Sequence, residues 1–285
     1  MKVNTSPFRS NFYLWNGVSA IFFSNCVTNV HSHNTMQILV DVQTSFRCRV
    51  GDSDWQTFKN LIIKEEVHHQ LDTTGSVQLI IYLDTETTVC KAIRDRHLQG
   101  KDAVEPHLDL FSTIKPDELQ QVILTPDPES LLHVVQQILQ TLAGESSPVK
   151  PDPRVKAIET YIISAHPDDI QIPGLAAKIH LSESRLRALF KEQTGVSLYK
   201  YILWSKIRFA INRIMNNTPV NEAAWEAGFT DNSHFHKMLV AMFGISPSQF
   251  LRDHRTMEIL TCDKSPLNFE TKVYNADGEV EKVYK

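Results

Sequence analysis

No stretch of this chain approaches the roughly 18 consecutive apolar residues that a membrane-spanning helix needs. The opening segment, MKVNTSPFRSNFYLWNG, has no basic start followed by an apolar run. A soluble, cytoplasmic protein with no membrane contact is therefore expected. Cysteine is scarce: Cys26, Cys48, Cys90 and Cys262 lie far apart with no CxxC pair. That argues against a zinc knuckle or a redox pair, and a cytosolic setting argues against disulfides. An excess of positive charge is missing too, because the formal net charge is −4. A histone-like tail is excluded, and any nucleic-acid contact must come from where charge sits, not from its total.

Divided along the chain, the charge is uneven. Residues 1–150 carry −5, residues 151–255 carry +3 and the remainder −2. Only the middle segment is basic. At 285 residues and 42% hydrophobic content, the chain is long enough for two packed domains. A boundary shows in GESSPVKPDP, Gly144 to Pro153, which holds three prolines, two serines and a glycine between apolar, helix-patterned stretches. Such a linker implies few contacts across it, so that residues 151–255 fold alone.

Before the linker the pattern is that of short strands. Phe46, Cys48 and Val50 alternate, apolar bursts run Leu61 to Ile63 and Leu79 to Leu83, and GDSD and TTGS are turn signals. This spacing suits a small sandwich or barrel over residues 1–87. From Thr88 to Ala143 the pattern is helical, and Leu131, Val135, Ile138 and Leu142 fall on one stripe. That stripe suits either packing on the chain's own barrel or a dimer contact by a helical connector, residues 88–143.

After the linker the pattern is helical throughout, with legible punctuation. Asp152 and Pro153 can cap RVKAIETYIISA, Ser182 can cap ESRLRALFKEQ before Gly195, Thr218 and Pro219 can cap VNEAAWEA before Gly228, and Asp231 can cap NSHFHKMLVAMF before Gly244. Between them lies LYKYILWSKIRFAINRIM, whose roughly 18 residues would span about 27 Å as one helix. Two segments repeat one plan. LAAKIHLSESRLRALFKEQTG and EAAWEAGFTDNSHFHKMLVAMFG each give an alanine-containing helix, a turn and a second helix with apolar residues at fixed offsets: Leu186, Leu189 and Phe190, then Phe235, Leu239 and Phe243. Ala176, Ala177, Ala223 and Ala224 let paired helices approach closely.

These segments, with the ending GF…F…FG…P.QF in register, resemble the DNA-binding domain of AraC/XylS-type transcription regulators over about 100 residues, 154–255. The resemblance implies a double helix-turn-helix joined by a linker helix, and hence an α+β multidomain protein whose C-terminal part is all-α. It implies double-stranded DNA as partner, with RNA polymerase and a second copy of the chain as others. Subtracting the buried stripe leaves Ser184, Arg185, Arg187, Ala188 and Lys191 on the first recognition helix and Asn232, Ser233, His236 and Lys237 on the second. Arg187 suits a guanine edge and Asn232 an adenine edge; a solvated face or phosphate contact is the bland alternative for each. Lys206 stands where the family's linker helix commonly has Arg. Leu239-Val240 replaces the usual Phe-Lys, which removes one phosphate contact.

HSHNTMQILVDV, SDWQTF and VHHQLD resemble the cupin-like sensor of the same regulators. His31, His33 and His69, with Gln37, fall where metal-binding cupins place three histidines and a carboxylate, an HxH on one strand putting both rings on one face. Gln37 replaces the expected Glu, and Glu65 stands near the usual proline. These residues, with Trp55, are candidates for an organic-effector site; structural histidines are the other reading, and Trp55 reads first as a core aromatic. No metal and no cofactor are expected, because a neutral Gln37 does not balance a divalent cation. The competing class is a cupin-type metal-dependent enzyme with an attached helical domain, against which the non-acidic fourth ligand counts. A regulator answering to a protein partner is a third. The tail, 256–285, has hairpin turn chemistry at Asn275 to Gly278 and should be mobile unless it docks.

Overall fold

The computed structural model describes residues 10–15, 17–25, 27–42, 44–85, 87–107, 114, 122–123, 127–144, 146–147, 152–194, 196–243, 257–261, 267, 270–274 and 280–284. Cys26, Cys262, linker residues 148–151, Gly195, Gly244, the motif ending at 247–250 and the turn at 275–278 lie outside them, as do the side chains of Val240 and Phe243. Within this set, the first half forms β1 (Ser10–Trp15), β2 (Val18–Ser24), β3 (Thr35–Asp41), β4 (Phe46–Val50), β5 (Gln56–Phe58), β6 (Asn60–Ile63), β7 (His69–Asp72), β8 (Val77–Asp84) and β9 (Ala103–Val104). Later strands are β10 (Ser146–Ser147), β11 (Met257–Thr261), β12 (Glu270–Tyr274) and β13 (Val280–Tyr284).

The strands make a large sheet in the order β11-β1-β2-β8-β3-β6-β9, a small one in the order β5-β4-β7, and a third in the order β10-β12-β13. The β-rich half is two open sheets, not a closed barrel. Because side chains alternate across a strand, each long strand divides its apolar residues between two faces. Tyr13, Trp15, Ile38, Leu79, Ile81 and Leu83 enter one core; Phe12, Leu14, Leu39, Ile80 and Tyr82 enter the other. Both faces are covered, so β8 is buried from Gln78 to Asp84. This explains why its sequence reads as a continuous apolar run.

One face is covered by helices α1 (Thr88–Ile93) and α2 (Pro128–Ala143). Asp127 caps α2 by accepting from the amides of Glu129 and Ser130, and Pro128 occupies its first turn. Leu131, Val135, Ile138 and Leu142, the stripe seen in the sequence, are fully buried against the chain's own sheet. The other face is covered by the small sheet, through Phe46, Cys48 and Leu71, and by helices that follow the linker. Cys48 and Cys90 are buried thiols without a disulfide, and burial pushes both up to about 12.

Those later helices are α3 (Pro153–Ser164), α4 (Ile172–Lys178), α5 (Glu183–Thr194), α6 (Leu198–Met215), α7 (Val220–Glu226) and α8 (Asn232–Phe243). Val155, Ile158 and Ile162 of α3 join Leu175 of α4, Leu186, Leu189 and Phe190 of α5, and Leu198 and Tyr201 of α6 in a core of their own. The second half of α6, with α7 and α8, has no such private core. Leu203, Trp204, Ile207, Ile211, Ala223, Ala224, Phe235 and Leu239 share one cluster with Leu39, Ile80 and Tyr82 of the large sheet. The expectation of few contacts across the linker is therefore not met: the linker's composition describes the connection, not the apolar faces on either side of it.

Two polar contacts fix the docking. Trp204 Nε1 donates to Asp84 Oδ2 at 3.1 Å, and Lys200 Nζ lies 3.6 Å from the same oxygen. Asp84 ends β8 and is buried. The tail docks as well. β11 pairs in parallel with β1, Ser10 opposite Met257, while β12 and β13 pair antiparallel, as a hairpin requires. Leu267 is buried in the core under α1 and α2. Among the described residues no helix is long and apolar enough to cross a membrane.

Replacing Trp204 by Phe keeps most of the buried ring but withdraws the donor from a buried carboxylate. Trp204→Phe should lower the unfolding free energy of the full chain by about 1.5–3 kcal/mol, read as a lower urea midpoint at unchanged slope. An unchanged midpoint would show that Asp84 does not hold α6 on the sheet.

Candidate nucleic-acid interface

The two helix pairs α4–α5 and α7–α8 are built by the same local devices. Helix α4 ends with the His180 amide donating to the Ala177 carbonyl at 3.1 Å and the Leu181 amide to that of Ala176 at 3.0 Å. Helix α7 ends with the Gly228 amide donating to Trp225 at 2.8 Å and the Phe229 amide to Ala224 at 3.0 Å. Both are Schellman closures, which need a left-handed residue at the first position past the helix. Gly228 meets that need with φ +73, and His180 meets it with φ 54 despite its side chain. After each closure comes a short turn and a capped helix. Ser182 Oγ accepts from the Arg185 amide at 3.3 Å, and Asp231 Oδ1 from the His234 amide at 2.7 Å. Asp152 likewise caps α3, accepting from the Arg154 amide at 2.8 Å. At α7 the sequence expectation fails in one detail: no side chain caps it, and Pro219 alone occupies the N-cap position.

Phe229 fills the second turn, its ring 5.1 Å from Phe235 and 5.4 Å from His234. Lys206, on α6, donates to the Gly228 carbonyl at 3.3 Å. A Cβ on Gly228 would stand 2.9 Å from Lys206 Nζ. Arg213 of α6 pairs with Glu226 of α7, Nη2 to Oε1 at 3.0 Å, so that α6 holds the end of α7 and the turn after it by two contacts.

With the inner faces fixed, the outer faces of α5 and α8 follow. Leu186, Leu189 and Phe190 are buried, and Ser184, Arg185, Arg187, Ala188 and Lys191 are all exposed. On α8, Phe235 and Leu239 are buried, and Asn232, Ser233, His236 and Lys237 are all exposed. Asn232 is the first residue of its helix, in the turn that a recognition helix presents to base edges. Arg187 Nη2 lies 3.7 Å from Glu183 Oε2 one turn back, an exposed pair of a few tenths of a kcal/mol that leaves the guanidinium available. Ala176, Ala223 and Ala224 are buried where helices approach, whereas Ala177 faces solvent.

The histidines of the β half assemble differently from the expected strand. His31 sits in an isolated bridge to His69, each amide donating to the other's carbonyl, and His33 lies in the irregular segment before β3. Even so, the rings of His31, His33 and His69 lie 4.4–5.4 Å apart between centroids. Burial depresses all three, His69 to about 4 and His33 well below its ordinary value with the neighbouring rings adding to the effect. Gln37 lies directly across from Tyr82 and is hydrogen-bonded to its hydroxyl; the Tyr82 ring meets His33 edge-on at 5.1 Å. Trp55 is not brought to this cluster. It lies half-buried under Arg47 and Arg49, whose side chains pair with Asp72 and Gln70 on the opposite face of the small sheet from His69. Glu65 is engaged by Arg94 at 2.8 Å.

Residues 175–253 match a family model described as a helix-turn-helix domain. The Msm operon regulatory protein of Streptococcus mutans is 28% identical over 102 residues, 35% of this chain and 36% of that protein. The HTH-type transcriptional regulator YidL of Escherichia coli is 32% identical over 108 residues, 36% of each. The chain thus spans about a third of the length of these relatives. Among solved structures, ToxT from Vibrio cholerae O395 is similar over 84% of this chain and 98% of that one, at 11% identity and a TM-score of 0.40. Residues 175–253 thus carry a helix-turn-helix domain, where the motifs of the sequence pointed to one.

The two Schellman closures test the construction of the interface in opposite directions. Gly228→Ala should destabilise the chain by about 1–3 kcal/mol, because it puts a side chain in a left-handed conformation against Lys206. His180→Gly should leave stability within about 1 kcal/mol, relief of strain offsetting glycine's extra freedom in the unfolded chain. Urea titration of both variants checks this, and equal losses would contradict it.

Proposed function

We propose that this chain is a sequence-specific DNA-binding transcription regulator whose β-rich half acts as an effector-responsive sensor. One observation carries the reading. On both second helices, α5 and α8, the residues left over by packing are polar or small, exposed and placed near the helix start, where a major groove is read. The helix-turn-helix match and the regulators among the relatives support the same function, and they favour it over an enzyme.

In this reading α5 and α8 enter successive major grooves on one side of the duplex. Helix α6, 18 residues long, spaces them at about 27 Å by its rise of 1.5 Å per residue. Arg187 and Asn232 are the strongest base readers, with Ser184, Ala188, Ser233, His236 and Lys237 beside them; Lys191 adds a phosphate contact, which a chain of net charge −4 has to place locally. The effector site in this reading is the cluster of His31, His33, Gln37 and His69. A second copy of the chain and RNA polymerase complete the partners implied by the resemblance. A dimer contact through α2 would use its outer face, because the apolar stripe is already covered.

Arg187→Ala and Asn232→Ala should each cost about 1–3 kcal/mol on the preferred site and relax preference at one or two base pairs, the two positions lying about 10 base pairs apart. Lys191→Ala should weaken binding to all sequences alike and reduce the salt slope by about one. Selection from a random DNA pool with each variant, combined with salt titrations, measures both. An Asn232→Ala protein with unaltered base preference would remove α8 from the reading mechanism.

A further inference from the structure

His31 and His69 exchange both backbone hydrogen bonds, at 3.0 and 2.9 Å, so their Cα atoms are clamped opposite each other. Each ring is then tied by its Nδ1 to a carbonyl: His31 to Asn29 at 2.7 Å and His69 to Val67 at 2.9 Å. A carbonyl oxygen only accepts, so each Nδ1 carries the proton and each Nε2 keeps its lone pair. The Nε2 of His69 is buried and has no hydrogen-bond partner. In His33, 4% exposed, neither ring nitrogen has one. Unpartnered buried nitrogens cost roughly 1–3 kcal/mol each, and here they collect at one place. One ring nitrogen from each of the three residues lies within 4.8 Å of the other two.

We propose that His31, His33 and His69 bind one late first-row transition ion, of the zinc, copper or nickel class, between the two sheets. Around a tetrahedral ion with bonds of about 2.0–2.1 Å the ligand nitrogens would stand about 3.3 Å apart. Small side-chain rotations close that gap. The carbonyls of Asn29 and Val67 take the outer role that orients ligating imidazoles, holding the tautomer and the ring plane. Gln37 argued at the level of sequence against a divalent cation. Its neutrality instead narrows the choice: with no carboxylate in the cluster, hard ions such as magnesium, calcium and manganese are disfavoured and imidazole-seeking ones selected. The half-buried His31 marks the entrance, and the fourth position is left to water or a small ligand. The inference goes beyond the DNA-binding reading and does not depend on it.

The test uses the full chain, stripped with a chelator and titrated with Co(II), whose visible absorption reports nitrogen coordination, followed by competition with Zn(II). One Co(II) per chain is expected, displaced stoichiometrically by zinc, with affinity lowered about 100-fold or more in His31→Ala and in His33→Ala. His68→Ala, an exposed neighbour outside the cluster, should bind as the parent does. Circular dichroism checks folding; His31 is only half-buried, so His31→Ala decides the matter where His33→Ala does not fold. Absence of the visible band in the parent chain, a band unchanged by His31→Ala, or a band lost in His68→Ala would each overturn the site.

Discussion

A central sheet with two apolar faces must be covered on both, and the rest of the molecule follows from that constraint. Strands β1, β2, β3 and β8 send alternate residues to opposite cores, so neither core can be left to solvent without exposing several large side chains at once. Helices α1 and α2 cover one face. The small sheet covers only part of the other, and α6, α7 and α8 cover the remainder. The helix-turn-helix half is thus a structural wall of the β half. The first helix pair, with its own core, is the more self-sufficient of the two pairs.

This arrangement explains which parts were legible in the sequence. Helix α6 was read residue for residue, and α3, α5 and α8 were read with their caps, because helix termini are signalled by residues within one turn. The strands β4, β6 and β8 showed through alternation or apolar bursts. The hairpin of β1 and β2 was missed, although Asn16-Gly17 between two apolar runs is a strong turn signal. The docking of Trp204 on Asp84 was not legible, since an apolar helix face reads the same whether its cover is nearby in sequence or far away. The parallel pairing of β11 with β1 was hidden for the same reason.

The histidine cluster shows a different limit. The HxH spacing points to His31 and His33, and VHHQLD to His69, but HxH pairing assumes a shared strand, which the structure replaces by a two-residue bridge and an irregular segment. Ring orientation depends on the carbonyls of Asn29 and Val67, and no side-chain pattern encodes these. Trp55 fits neither expectation: it is neither in the core nor beside the cluster, because alternation along β4 and β7 places its arginine partners on the far face of the small sheet.

The pairing of residue 10 with residue 257 also bears on how the protein is made. Strand β1 is synthesised well before β11, and the edge that β11 covers stays open until both second helices, α5 and α8, have been made. During that interval the nascent chain presents an open strand edge, the kind of surface that recruits foreign strands. Closure of this edge is a pairing between segments far apart in the sequence, and such pairings form slowly. A chain truncated within α6 to α8 would remain a β half with an uncovered face and an unfinished edge, prone to aggregate.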